Sequence, residues 1–91
     1  MSIKNVGMTP AQCRAARALL EMTQTGLAKL AELGLSTVVD FERQRRNVSD
    51  DAANAIYEAL KRVGVEFIDE NGGGPGVRLR KAQRKKSSKE R

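Results

Sequence analysis

Apolar positions recur at three- and four-residue intervals through the first two thirds of the chain, and the period then changes. Cys13, Ala16, Leu19 and Leu20 mark the inner face of a first helix, with Arg14 turned to solvent. Its start is signalled by Thr9 as cap, Pro10 at the first helical position and Gln12 where a capping box takes Glu or Gln. The helix is expected to end near Leu20. Thr23 caps a second helix, Gln24–Ala31, which Gly26 in the first turn weakens by about 1 kcal/mol relative to Ala. A third runs from about Leu35 to Arg43, separated from the second because a glycine, Gly34, interrupts the pattern between them. After the polar connector "RQRRN", Ser49 with Asp50 and Asp51 matches a cap and the helix dipole. The fourth helix, "DDAANAIYEALKRV", places Ala52, Ile56, Ala59, Leu60 and Val63 on one face, and Gly64 ends it.

Beyond Gly64 the texture is that of strands. "VEFI" and "VRLR" gather β-formers on either side of "DENGGGPG", a turn-forming stretch, so a β-hairpin is expected. Two strands alone are marginal in water. The hairpin must therefore pack on the helices or pair its edge with a second chain.

A chain of 91 residues is one small domain with a modest core. With Phe41, Tyr57 and Phe67 as its only aromatics, that core is built from Leu, Val, Ile and Ala, which favours short packed helices. The expected class is all-α, about four helices with a short C-terminal hairpin. The net charge of +6 is unevenly placed. Residues 1–79 hold ten Lys/Arg against ten Asp/Glu, while "RKAQRKKSSKER", residues 80–91, holds seven against one. Such a basic tail is expected to be disordered and drawn to polyanions. The organisation expected is a flexible arm over 1–8, a helical domain over 9–63, a hairpin over 64–79 that could serve dimerisation, and the tail over 80–91.

Several chemistries are excluded. There is no histidine, so no histidine-based triad or metal site, and one cysteine makes neither a disulfide nor a structural zinc site. Cys13 reads as a small core residue. "GGGPG" lacks the Lys-Ser/Thr of a P-loop and opens no helix. No catalytic residue, metal or cofactor is expected, and the chain is not read as an enzyme. No apolar run approaches the roughly 18 residues that cross a bilayer. "MSIKNVGM" lacks the apolar block of a secretory signal. A cytoplasmic protein with no membrane partner is expected.

The chemistry-bearing pattern lies in residues 24–43. Counting Gln24 as position one, small or apolar residues occupy positions four (Leu27), five (Ala28), eight (Ala31), ten (Leu33), fifteen (Val38) and eighteen (Phe41). Ala28 and Ala31 let two helices cross closely, Leu33 plugs the corner, and Val38 and Phe41 pin the second helix to the core. This is the spacing of a helix-turn-helix. With "RAAR…L" and "TQTGLAKLAELGLSTVVDFERQRR", the chain resembles the lambda-repressor-like (Cro and cI, or XRE) DNA-binding family over roughly residues 9–63. From Gly64 on it is similar to the C-terminal extension of small single-domain members.

The resemblance implies a transcriptional regulator whose third helix lies in the major groove of double-stranded DNA while the second crosses the backbone. Carried over by position, Leu35, Ser36, Thr37, Val39 and Asp40 face the bases. Thr23, Gln24, Arg43, Gln44, Arg45 and Arg46 face phosphates, and Arg17 with Glu42 forms a structural salt bridge. A homodimer on a palindromic operator is implied, acting as repressor, activator or both, with autoregulation and an RNA polymerase contact as open possibilities.

Two departures bear on this. Position nine of the family's turn is usually Gly; here it is Glu32, which in a left-handed conformation costs about 1–2 kcal/mol. A rival register would use "GLS" as the turn and shorten the third helix to "TVVDFE". Second, the reading face carries no Arg, Asn or Gln, the usual bidentate partners of guanine and adenine. Leu35 and Val39 suit thymine methyls, Ser36 and Thr37 a base edge or phosphate, and Asp40 cytosine N4. DNA shape, the residues Arg43 to Arg46 or the tail in a minor groove would supply the remaining specificity, or else the helix is not a reader. Two readings stand beside the regulator: a protein-interaction module, antitoxin-like or anti-activator, that uses the same helices as a scaffold, and a non-specific architectural or RNA-binding protein driven by the tail.

Overall fold

The computed structural model describes residues 7–45, 48–69 and 72–80. Four helices, α1 (Pro10–Leu20), α2 (Gln24–Ala31), α3 (Leu35–Arg43) and α4 (Asp50–Arg62), precede an antiparallel pair, β1 (Val65–Ile68) and β2 (Gly76–Leu79). The residues that begin the helices are local and explicit. Thr9 Oγ1 accepts from the Gln12 amide at 3.1 Å while Gln12 Oε1 accepts from the Thr9 amide at 2.8 Å, a reciprocal capping box ahead of Pro10. Thr23 and Ser49 cap α2 and α4 through the amides of Gly26 and Ala52. Asp50 and Asp51 add negative charge in the first turn of α4, where the helix dipole favours it.

Three helices end on a non-glycine residue in the left-handed region: Glu21 (φ 55°), Glu32 (φ 61°) and Gln44 (φ 56°). Each turns the chain within one residue, and the following amide closes on the helix: Met22 on Arg17, Leu33 on Ala28, Arg45 on Asp40. The turn between α2 and α3 is therefore Glu32–Gly34, and α3 starts at Leu35 with Gly34 as its cap. The rival register at "GLS" is not the one adopted.

Met8, Cys13, Ala16, Leu27, Ala28, Val38, Ile56, Ala59, Leu60 and Val65 form one buried cluster, with Leu33, Phe41, Tyr57 and Phe67 packed against it. α2 lies against α3 and α4, while α1 touches α3 and β2. Burying each of Leu27, Ile56 and Leu60 fully stabilises the fold by about 1.5–3 kcal/mol.

The structure corrects three packing expectations. Leu19 of α1 is 45 % exposed rather than buried, while Gln12, seven residues earlier on the same face, lies in the interior. On α4, Ala53 is buried rather than Ala52, and Val63 lies beyond the last helical residue, 40 % exposed. Met8, assigned to the N-terminal arm, belongs to the core. Gly7 before it has φ +89°, and a Cβ there would come within 3.1 Å of the Tyr57 ring, so only glycine permits this approach.

The hairpin is docked on the helices. Its register pairs Val65 with Leu79, Glu66 with Arg78, Phe67 with Val77 and Ile68 with Gly76. Phe67 packs on Tyr57 of α4 with ring centroids 5.0 Å apart, and Glu66 and Arg78 form a cross-strand ion pair at 2.7 Å. At the turn end, Gln12 Nε2 donates to the carbonyls of Ile68 (3.1 Å) and Gly76 (2.9 Å). One buried side chain thus satisfies a carbonyl from each strand and begins α1, which is why it, and not a leucine, occupies the interior.

Candidate nucleic-acid interface

α3 is an amphipathic rod fixed from behind. Its rear face carries Val38 and Glu42, 0 % and 1 % exposed. A buried carboxylate is costly unless every direction around it finds a donor. Here Arg17 Nε donates to Glu42 Oε2 and Arg17 Nη2 to Oε1, both at 2.8 Å, a bidentate pair from α1 to α3. Gln24 Nε2 adds a bond to Oε1 at 3.0 Å and Cys13 Sγ one to Oε2 at 3.1 Å. Arg17 Nη1 also donates to the Met22 carbonyl in the turn between α1 and α2. One carboxylate thereby joins α1, α2 and α3.

Burial by itself would raise the pKa of Glu42. The hydrogen bonds from Arg17, Cys13 and Gln24 outweigh it and hold the carboxyl below its ordinary value. The bond to Glu42 correspondingly raises Arg17. Burial, reinforced by the neighbouring carboxylate, pushes the Cys13 thiol far up, so it stays protonated and donates. Cys13 is a buried member of this cluster, not a reactive thiol.

The front of α3 is open. Opposite Val38 and Glu42, Ser36 is exposed and Asp40 half-buried, with Thr37 and Val39 half-buried at the flanks; Leu35, seven residues before Glu42 and so on its side of the helix, is 46 % exposed because it opens the first turn. Arg43, Gln44 and Arg45 continue outward from its C-terminal end, all exposed; Arg46 lies outside the described residues. Thr23 is exposed at the start of α2, its hydroxyl oxygen occupied by the cap and its O–H still able to donate. The first backbone amides of α2 have no carbonyl to reach within the helix.

Gln24 departs from its expected place. Its side-chain amide turns inward to Glu42 rather than outward, because the buried carboxylate needs a further donor. What Gln24 offers an anion here is its backbone amide. Arg14, solvent-facing by the sequence pattern, donates through Nη1 to the Glu42 backbone carbonyl and so brings a further guanidinium to the end of α3. The spacing of "RAAR" is the signal that could have found it, since residues three apart share a helix face.

Among the described residues no group of three His, Cys, Asp or Glu side chains could hold a metal ion, and no helix is long and apolar enough to cross a membrane. No family model matches the chain, and no curated protein matches it.

Proposed function

We propose that the chain is a sequence-specific DNA-binding transcriptional regulator of the helix-turn-helix kind, with α2, the Glu32–Gly34 turn and α3 as the reading unit. In this reading α3 enters the major groove with Leu35, Ser36, Thr37, Val39 and Asp40 toward base edges. Thr23, the Gln24 amide, Arg43, Gln44, Arg45 and Arg46 meet phosphates on either side. The observation that carries it is the division of α3 into a locked rear and an open front. Val38 and Glu42 fix the helix against α1 and α2, whereas Ser36 on the opposite side and Leu35 in the first turn stay accessible, with Arg43 and Arg45 exposed at the far end. A reader needs this rigidity, because a helix loose by about 1 Å cannot hold hydrogen-bond geometry to bases.

A domain of this size reaches few base pairs, so the regulator acts as a homodimer on a palindrome with half-sites about 34 Å apart. Val63 and Leu79, 40 % and 43 % exposed at one end of the hairpin, support that region as the place for the second copy. The same exposed Leu35 favours the rival reading, a protein-interaction module, since an apolar tip suits a protein partner as well as a thymine methyl.

Gel shifts of genomic fragments across a salt series separate the two. The regulator retards a subset of fragments, loses affinity steeply with salt and protects a palindromic footprint. Uniform weak retardation of every fragment, with no footprint, overturns the proposal in favour of the interaction module or of a tail-driven non-specific binder.

A further inference from the structure

A groove of about 440 Å³ runs between α2 and α4, and none of the residues lining it is one that the proposed reading places against DNA. Leu30 and Ala31 of α2 and Ala55 of α4, all half-buried, give it an apolar floor, and Glu32, Asp51 and Glu58 line it with carboxylates. Arg62, the cation at its edge, donates through Nη2 to the Leu30 carbonyl at 3.3 Å. Three carboxylates against one guanidinium leave the groove net anionic over apolar carbon.

We propose that this groove holds the chain's own C-terminal segment, residues 81–91, in the absence of a competing polyanion. Three observations converge on that occupant. The first is charge: Lys81, Arg84, Lys85, Lys86, Lys89 and Arg91 stand against a single acidic residue, Glu90, in the segment, whereas the remainder of the chain holds eleven Lys/Arg against ten Asp/Glu. The second is where the described chain ends. The Arg80 amide donates to the Gly64 carbonyl at 2.7 Å and Arg80 Nη1 to the Lys61 carbonyl at 3.3 Å. The segment therefore departs beside the C-terminal end of α4, one residue along from the Arg62 that borders the groove. The third is length. The groove follows α4 from Arg62 back to Asp51, about 16 Å at the helical rise, and residues 81–91 span up to about 36 Å when extended.

The chemistry of the fit is that of long cationic side chains. Their methylene stems cover Leu30, Ala31 and Ala55 while the charged ends reach Glu32, Asp51 and Glu58. Such contacts are solvent-exposed and weak one by one. They gain from being intramolecular, because the short tether keeps the segment at a high effective concentration. A nucleic acid, with far denser negative charge, draws the same cations away. That last step rests on the proposed function; the docking itself does not.

The test uses the full chain without DNA. Cys13 is fully buried, so a nitroxide attached after Ser88→Cys labels the C-terminal segment alone. Paramagnetic broadening in 50 mM salt is expected at the amides of Glu32, Asn54, Ala55 and Glu58. It should fall at least threefold in 500 mM salt and in a Glu32→Gln/Glu58→Gln background, whose helical spectrum reports that the fold is kept. Mixing labelled, isotopically silent protein with unlabelled, isotope-enriched protein should give no broadening, since docking is within one chain. Broadening spread evenly over the surface, centred on another face, indifferent to the Glu32→Gln/Glu58→Gln change, or present in the mixed sample as well overturns the proposal. Adding a duplex afterwards is a separate measurement. Failure to release the segment there, with docking already seen, counts against the DNA reading and leaves the groove assignment standing.

Discussion

Glu42 is a charged side chain with almost no solvent contact, and it is tolerated because Arg17, Gln24 and Cys13 all donate to it. Removing one partner of so buried a pair leaves the other uncompensated. Glu42→Gln is therefore expected to lower stability by about 3 kcal/mol at neutral pH, read by urea unfolding. The pH dependence follows from the direction of the shift. A carboxyl whose pKa is lower folded than unfolded contributes fully above its ordinary value of 4.5, and the contribution is lost as pH falls through the lower folded value. The unsubstituted chain should lose stability progressively below about pH 5, and Glu42→Gln should flatten that limb. An equally steep acid limb in Glu42→Gln would assign the pH dependence to other carboxylates. At Glu32 the sign is opposite. A left-handed non-glycine residue costs about 1–2 kcal/mol, and glycine recovers this minus about 0.5–1 kcal/mol of extra chain entropy. Glu32→Gly should raise stability by up to about 1 kcal/mol, with a Tm increase of a few degrees by thermal melt.

At the scale of elements, the Gln12 grip on the hairpin makes a distinct prediction. Gln12→Leu keeps the volume and satisfies the apolar neighbours, but it strands the Ile68 and Gly76 carbonyls. The expected cost is about 2–3 kcal/mol. It should show locally, as faster amide exchange in β1 and β2 while α2 and α3 stay protected; uniform acceleration would mean that the hairpin is integral to one cooperative unit. This grip also marks what could be read from the chain and what could not. The helix starts were legible because Thr9, Thr23 and Ser49 act on amides within three residues of themselves. The ends of α1 and α2 were legible in place. The inner faces of α1 and α4 were legible only in part, because a short helix repeats its pattern too few times to fix a direction. Which side becomes inner depends on what lands there. For α1, Gln12 and Leu19 lie seven residues apart on one face, and the hairpin, more than fifty residues away in sequence, covers the Gln12 end of it while Leu19 stays exposed. The inward turn of Gln24 is of the same kind: it answers a buried carboxylate on another helix, and nothing in its own neighbourhood announces it.

The proposed reading unit is also an element-scale matter. Arg45 projects beyond the end of α3 and Ser36 from its open front, so the two should fail differently. Arg45→Ala is expected to weaken binding to all duplexes by a similar factor and to reduce the salt slope by about one unit. Ser36→Ala should instead change the order of preferred sites at nearly constant slope, as read by binding selection from a random duplex pool. If Ser36→Ala leaves that order intact and Arg45→Ala alters it, specificity lies in the arginines beyond α3 and in the duplex shape they sense.

Across the whole molecule, a charge-balanced body is joined to a strongly basic end. Under the proposed function these two parts serve different physical tasks. Counterion release by lysine and arginine supplies affinity for any duplex, whereas a fixed helix front discriminates among duplexes. Replacing Lys81, Arg84, Lys85, Lys86 and Lys89 by glutamine in the full chain separates them. Overall affinity should fall, and the slope of log affinity against log salt should become shallower by about 0.9 for each phosphate that is no longer neutralised. The order of preferred sites should persist, because α3 and its anchorage on Arg17 and Glu42 are untouched. Quantitative gel shifts with a preferred and a scrambled duplex at several salt concentrations measure both quantities together. Should the preference vanish along with the affinity, the discriminating surface is the basic end itself, and α3 serves as structural support for a non-specific nucleic-acid binder.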